Sequence, residues 1–224
     1  MFFILQGADY LIPSAISFII VLILAFAYHE FAHAIVADRL GDPTPRQYGR
    51  ITLNPRPHLD PTGLILALII GFGWATTPVN PSYLRGNPRK SYAIVSLAGP
   101  IANLLMAGLF SLPILLGFVE ITLPGEILPS VYSFLVFGVY YNLLLFALNM
   151  IPIPPLDGFS ILMGVLPAEL AYQLQPLRQY SQILFLGVFF LLPAIGVDVA
   201  FKLIQLIVGR IYPILLGGFA PLFV

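Results

Sequence analysis

Residues 12–40 read IPSAISFIIVLILAFAYHEFAHAIVADRL, and this stretch decides the fold. From Ile12 to Tyr28 no residue carries a charge. Such a run is near the length needed to cross a bilayer, about 20 apolar residues. It passes directly into His29 and Glu30 with no small-residue cleavage site, and Met1–Tyr10 holds no basic cluster. The stretch is therefore expected to be a permanent span rather than a cleaved leader.

The rest of the chain agrees. Of 224 residues, 59% are hydrophobic and 9% charged, and the mean hydropathy is +0.95. A water-soluble domain carries about 25% charged residues, so the bilayer is the expected solvent. Ten basic and ten acidic residues cancel, and no basic patch points to nucleic acid. There is no cysteine, which excludes disulfides and thiolate metal sites. A metal here must be held by His, Asp or Glu.

Further apolar segments are expected at about residues 61–79, 91–119, 129–153, 180–196 and 197–217, with an amphipathic piece at 159–174. The reading is an all-α polytopic membrane protein of five or six transmembrane helices, one domain over 1–224. The segment at 61–79 is short and broken by Gly71, Gly73 and Pro78. Basic residues flank it on both sides: Arg39, Arg46, Arg50 and Arg56 before it, Arg85, Arg89 and Lys90 after it. By the positive-inside rule both loops are cytoplasmic, so residues 46–80 are expected to dip in and return. Arg50–Leu53 is a β-prone piece of this re-entrant segment; a full sixth span is the alternative. Glu120 and Glu126 lie in a loop without Lys or Arg, which reads as outside. That topology brings His29 and Asp157 to similar depth on the cytoplasmic side.

His29-Glu30-Phe31-Ala32-His33 carries the chemistry. On a helix, positions 29 and 33 lie one turn apart on one face, where two imidazoles can bind one zinc ion. Glu30 lies beside them, placed to take a proton from water. Two of the three histidines of the chain fall in this pentapeptide, inside an apolar helix where ionisable groups are costly. The alternative is polar residues snorkelling at a helix end.

A zinc site needs a third protein ligand. His58 and the carboxylates Asp9, Asp38, Asp42, Asp60, Glu120, Glu126 and Asp157 are the candidates. Asp157 stands apart because it ends Asn149-Met-Ile-Pro-Ile-Pro-Pro-Leu-Asp157-Gly158, where Pro152, Pro154 and Pro155 break the fourth span and Gly158 allows a sharp turn. An ordinary interfacial Asp-Gly turn is the competing reading.

These motifs resemble those of the site-2 protease family of intramembrane metalloproteases, whose pattern is HExxH in one helix and Asn…Pro…Leu-Asp-Gly in a later one. The resemblance extends to Gly49-Arg50-Ile51-Thr52-Leu53-Asn54-Pro55, Gly73-Trp74, Pro78-Val79-Asn80-Pro81 and Ala98-Gly99-Pro100-Ile101-Ala102-Asn103, covering roughly residues 20–165. It looks like the compact branch that carries no PDZ or CBS domain. The resemblance implies one zinc per chain on His29, His33 and Asp157, with Glu30 as catalytic acid and base. It gives Asn149 the place of a residue that orients substrate or holds an oxyanion. The implied activity is hydrolysis within or near transmembrane segments of membrane-protein substrates, in regulated intramembrane proteolysis, in the cell membrane with the active site toward the cytoplasm. Anti-sigma factors, membrane-tethered transcription factors and leftover signal peptides are the implied substrate classes.

Other polar residues have simpler readings. His58 either donates to the transition state or packs its loop. Asn103 reads as an interhelical hydrogen bond, and Arg210 as a snorkelling cation. Substrate backbone is expected to add as a strand near Arg50–Leu53. The competing classes are a metal-ion transporter, which would favour repeated halves, and an inactive scaffold, which would have lost Glu30 or a ligand.

Overall fold

The computed structural model describes residues 11–70, 73, 75–122 and 127–217. The expected break at Gly71, the Trp74 of the Gly-Trp motif, and the carboxylates Asp9 and Glu126 lie outside the described residues.

The first helix, α1, runs over Leu11–Arg39. Its 29 residues make about 43 Å at 1.5 Å per residue, more than a hydrocarbon core of about 30 Å. It ends in a Schellman motif: Asp42 N–H donates to Ala37 O and Gly41 N–H to Asp38 O, both at 3.0 Å. Gly41 has φ +107°, which a side chain would resist. Asp42 is fully buried, and its carboxylate accepts from Thr44 N–H at 3.0 Å and Asn80 N–H at 2.7 Å.

That second bond closes a loop. From Asp42 the chain forms the short helix α2 (Thr44–Gln47), a 3₁₀ turn at Arg56–His58 and the helix α3 (Pro61–Ile70), capped where Asp60 Oδ1 accepts from Gly63 N–H at 2.7 Å. It returns through residues 75–80 to Asn80, and Arg85 N–H then donates to Leu40 O at 2.8 Å. The segment thus leaves and rejoins the same end of α1. Ten residues of α3 reach only about 15 Å, too short to span. The re-entrant path is seen without any β-structure: among the described residues there is no strand. Arg50–Leu53 is irregular, because Asn54-Pro55-Arg56-Pro57 follows and coils into a turn, leaving no partner strand to pair with.

Helix α4 (Pro88–Leu115) starts where Asn87 Oδ1 accepts from Arg89 N–H and Lys90 N–H. Helix α5 (Val131–Asn149) starts on a Ser130 cap and stops before Pro152. These two are the most extensively packed pair. Gly138 of α5 lies so close to the Phe110 ring of α4 that a Cβ would overlap it, the close approach that small residues permit in membranes. Leu105, Leu109 and Leu112, on one side of α4, are exposed; in a bilayer that face meets lipid.

Helix α6 (Asp157–Val165) packs on α4, with Gly164 against Ala93. Then come α7 (Ala168–Leu174), a 3₁₀ stretch to Tyr180, α8 (Ser181–Leu186), a π turn, and α9 (Leu192–Ala194). Helix α10 (Val199–Leu215) buries Ala200, Ile204, Val208 and Tyr212, spaced by four, against α5. Among the described residues, four helical stretches are long and apolar enough to cross a membrane: 11–39, 88–115, 131–149 and 168–194. The 17-residue α10 falls just short of that length. The protein is an all-α polytopic membrane protein.

Candidate metal centre and active site

Four helices meet at one point near the C-terminal half of α1. Helical spacing puts His29 and His33 on one face, with ring centroids 4.6 Å apart at 87°. Asp157, the first residue of α6, reaches them from across the bundle. His29 Nε2 lies 3.0 Å from His33 Nε2, and Asp157 Oδ2 lies 3.1 Å from the first and 3.3 Å from the second. The Pro-rich turn after α5 aims Asp157. Gly158 is needed there for space and not for an unusual φ: a Cβ would strike the carbonyls of Met150 and Ile151.

The other ring nitrogens decide what this triangle can hold. His29 Nδ1 faces Asn103 Oδ1 at 2.6 Å, and His33 Nδ1 faces Val95 O at 2.7 Å. Both partners only accept, so each Nδ1 carries the hydrogen. A neutral imidazole then presents a bare lone pair at Nε2. Two such lone pairs and a carboxylate oxygen without a hydrogen-bond donor converge within 3.3 Å. They repel one another unless a cation lies between them. Zn–N and Zn–O lengths of about 2.0–2.1 Å give a tetrahedron with edges of about 3.3 Å, close to the spacing here. Imidazole and carboxylate are zinc ligands, and the donor set fits zinc.

Glu30 is buried, and its Oε2 has no hydrogen-bond partner. Glu30 and the three converging residues line a cavity of about 170 Å³. Asn149 and Pro155 close one wall, Tyr92 and Ser96 of α4 another. Asn149 Nδ2 donates to Leu145 O at 3.1 Å, which leaves its second N–H available.

Ala75, Thr76, Thr77 and Val79 form a third wall. Thr77 Oγ donates to Glu30 O at 3.0 Å, tying this extended stretch to α1. No backbone group of residues 75–79 pairs with another backbone group among the described residues. Residues 75–79 thus border the cavity outside any helix and, among the described residues, without a backbone partner.

His58 stands elsewhere. It is fully buried and donates Nε2–H to Thr52 O at 2.8 Å, and its ring centroid lies 6.5 Å from that of Phe31, the planes 84° apart. Phe31 points about 200° around α1 from His29. His58 does not line the cavity and pins its own loop. Of the other carboxylates, Asp38 pairs with Arg46 at 2.7 Å, and Asp42 and Asp60 cap turns.

Several residues that pack on or support the two histidines carried weak sequence signals. Gly99 leaves no room for a Cβ, which would strike the imidazoles of His33 and His29. Pro100 removes the intrahelical donor for the Ser96 carbonyl, in the turn next to Val95 O. Asn103 was marked by a lone amide inside an apolar helix and by its place in the Ala98–Asn103 motif, neither of which named His29 as one of its partners.

Known proteins point the same way. A family model for Peptidase family M50 matches residues 111–194, a stretch that holds Asn149 and Asp157 but not the HExxH helix. The chain is 39% identical over 173 residues to a Bacillus subtilis protein named "Putative zinc metalloprotease YwhC", covering 76% of this chain and 78% of that one. It is 34% identical over 165 residues to the Mycolicibacterium smegmatis protein named Rip2, covering 71% of this chain and 61% of that one. It is 33% identical over 156 residues to MJ0611 of Methanocaldococcus jannaschii, covering 66% and 72%. Both carry the same zinc-metalloprotease wording in their names. No solved structure matches. On the family model and these relatives, the chain belongs to Peptidase family M50, the site-2 protease family that its motifs resemble.

Proposed function

We propose that this membrane metalloprotease hydrolyses peptide bonds within or beside the transmembrane segments of other membrane proteins, in regulated intramembrane proteolysis. One observation carries the reading. Glu30, whose Oε2 has no hydrogen-bond partner, shares a small cavity with three converging candidate metal donors, among helices long enough to span a bilayer.

His29, His33 and Asp157 hold one zinc ion. Bound zinc supplies Lewis acidity, making water a nucleophile near neutral pH and polarising a carbonyl. Glu30 accepts the proton of the attacking water and returns it to the leaving amine. Asn149 donates its free N–H to the carbonyl oxygen as charge builds there. A helical substrate hides its carbonyls, so it must unwind. Residues 75–79 receive the unwound backbone as a paired strand, replacing the expected edge at Arg50–Leu53. His58 has no part in this chemistry. The seven basic residues from Arg39 to Lys90 flank the end of α1 nearer the site, so the site faces the cytoplasm and the protein lies in the cell membrane.

The test uses purified protein in detergent, elemental analysis of zinc, and a single-span substrate. Glu30→Gln is expected to keep zinc near the wild-type level and lose cleavage by about 10²-fold or more. Asp157→Ala is expected to lose zinc. Full-rate cleavage by Glu30→Gln, or wild type that takes up no zinc, overturns the assignment.

A further inference from the structure

The two candidate ligand histidines differ in what holds their far nitrogens. His33 is held by a backbone carbonyl, Val95 O, which cannot be reversed. His29 is held by Asn103, an amide that can turn over. Reversed, Asn103 would offer N–H to His29 Nδ1 and drive the hydrogen to Nε2, into the space between the three donors.

Two backbone carbonyls prevent the reversal. Gly138 O accepts from Asn142 Nδ2 at 2.9 Å, so Asn142 turns Oδ1 outward. Asn103 Nδ2 donates to that Oδ1 at 3.0 Å and to Ala25 O at 3.2 Å. A reversed Asn103 would set its oxygen against both of these acceptors. Both asparagines are fully buried, and neither lines the cavity. We infer that Asn142 and Asn103 form a directed hydrogen-bond relay, anchored on the Gly138 and Ala25 carbonyls, that fixes His29 as the Nδ1–H tautomer with Nε2 free for metal. Both are positioning residues, acting through His29. An interhelical bond between these amides alone would hold helices; the arrangement also carries a sense of direction from α5 through α4 to α1. The inference rests on the metal-centre reading above.

The experiment measures zinc affinity by competition with a chelator, together with thermal stability of the metal-free protein. Samples are wild type, Asn103→Leu, Asn142→Leu, the double variant and Asn103→Asp. Loss of such a partner weakens metal binding by about 10- to 100-fold, and this is expected for Asn103→Leu. Asn142→Leu is expected to lose less, and the double variant no more than Asn103→Leu alone. Asn103→Asp keeps an acceptor on His29 Nδ1–H and is expected to bind zinc more tightly than Asn103→Leu. Lower thermal stability with unchanged zinc affinity in Asn103→Leu reduces the pair to packing and overturns the relay. So does a double variant whose loss equals the product of the two single losses. If Asn103→Leu does not fold, unchanged affinity in Asn142→Leu overturns the relay on its own. Wild type without zinc fails the metal-centre reading instead, a result separate from these.

Discussion

At the residue scale, Gly99 is as constrained as the imidazoles it touches. A methyl group there meets both imidazoles at contact distances no real side chain adopts. Overpacking of this kind costs about 1–3 kcal/mol, and here the displaced atoms are the proposed metal donors. Gly99→Ala is expected to bind zinc markedly less than wild type while keeping its helical content, read by elemental analysis and circular dichroism. Wild-type zinc in that variant would mean the imidazoles have room to shift. Asp42 sets a different constraint. Its carboxylate satisfies two backbone N–H groups while fully buried, and Asp42→Ala leaves both without an acceptor. About 1–3 kcal/mol of destabilisation follows for each unsatisfied group, expected as a lowered midpoint in thermal unfolding.

At the element scale, the stretch 75–80 is held at only a few points. Thr77 binds the Glu30 carbonyl and Asn80 binds Asp42. Between these pins the backbone beside the cavity has no backbone partner among the described residues. Thr77→Val removes one pin and touches no proposed metal donor. Its expected signature is a KM for a transmembrane substrate raised severalfold with zinc content unchanged. A kcat loss with unaltered KM would argue against residues 75–79 as the substrate edge. Helix α6 is clamped in a comparable way. The Arg178 guanidinium lies 5.6 Å from the Tyr92 ring centroid and 5.3 Å from that of Phe159, and donates to Ser160 Oγ at 3.0 Å. Tyr92 lines the cavity and Phe159 follows Asp157 by two residues. Arg178→Ala is expected to cost about 1–2 kcal/mol in stability, and to lower zinc affinity by loosening the start of α6.

At the scale of the whole molecule, the proposed metal site draws on helices far apart in the chain. His29 and His33 come from α1 and Asp157 from α6, so zinc held on the proposed donors would tie the first span to the segment after α5. A ligand that binds only the folded state adds about 2.7 kcal/mol at a hundredfold excess over its Kd. Stripping zinc with a chelator is expected to lower the thermal midpoint, and adding zinc back to restore it. Asp157→Ala is expected to lack that response. An unchanged midpoint on stripping would show that α1 and α6 are held by packing alone. Local sequence is enough to tell that the chain lives in a membrane, that two histidines share a helix face, and where α1, α4, α5 and α10 begin and end within a few residues, whereas the stretch expected at 180–196 is helical from residue 168 and the one expected at 61–79 holds a helix only over 61–70 among the described residues. Those properties follow from composition and from the 3.6-residue period, which are local. The charge pattern also located the re-entrant path, because topology rules act on loops one at a time. Only the tertiary structure decided the rest. Asn103 meets His29 across 74 positions, Val95 O meets His33 across 62, and His58 turns away toward its own loop. The proposed substrate edge lies at residues 75–79 rather than Arg50–Leu53 for the same reason: which backbone is left for a partner depends on what packs beside it, and no local period encodes that.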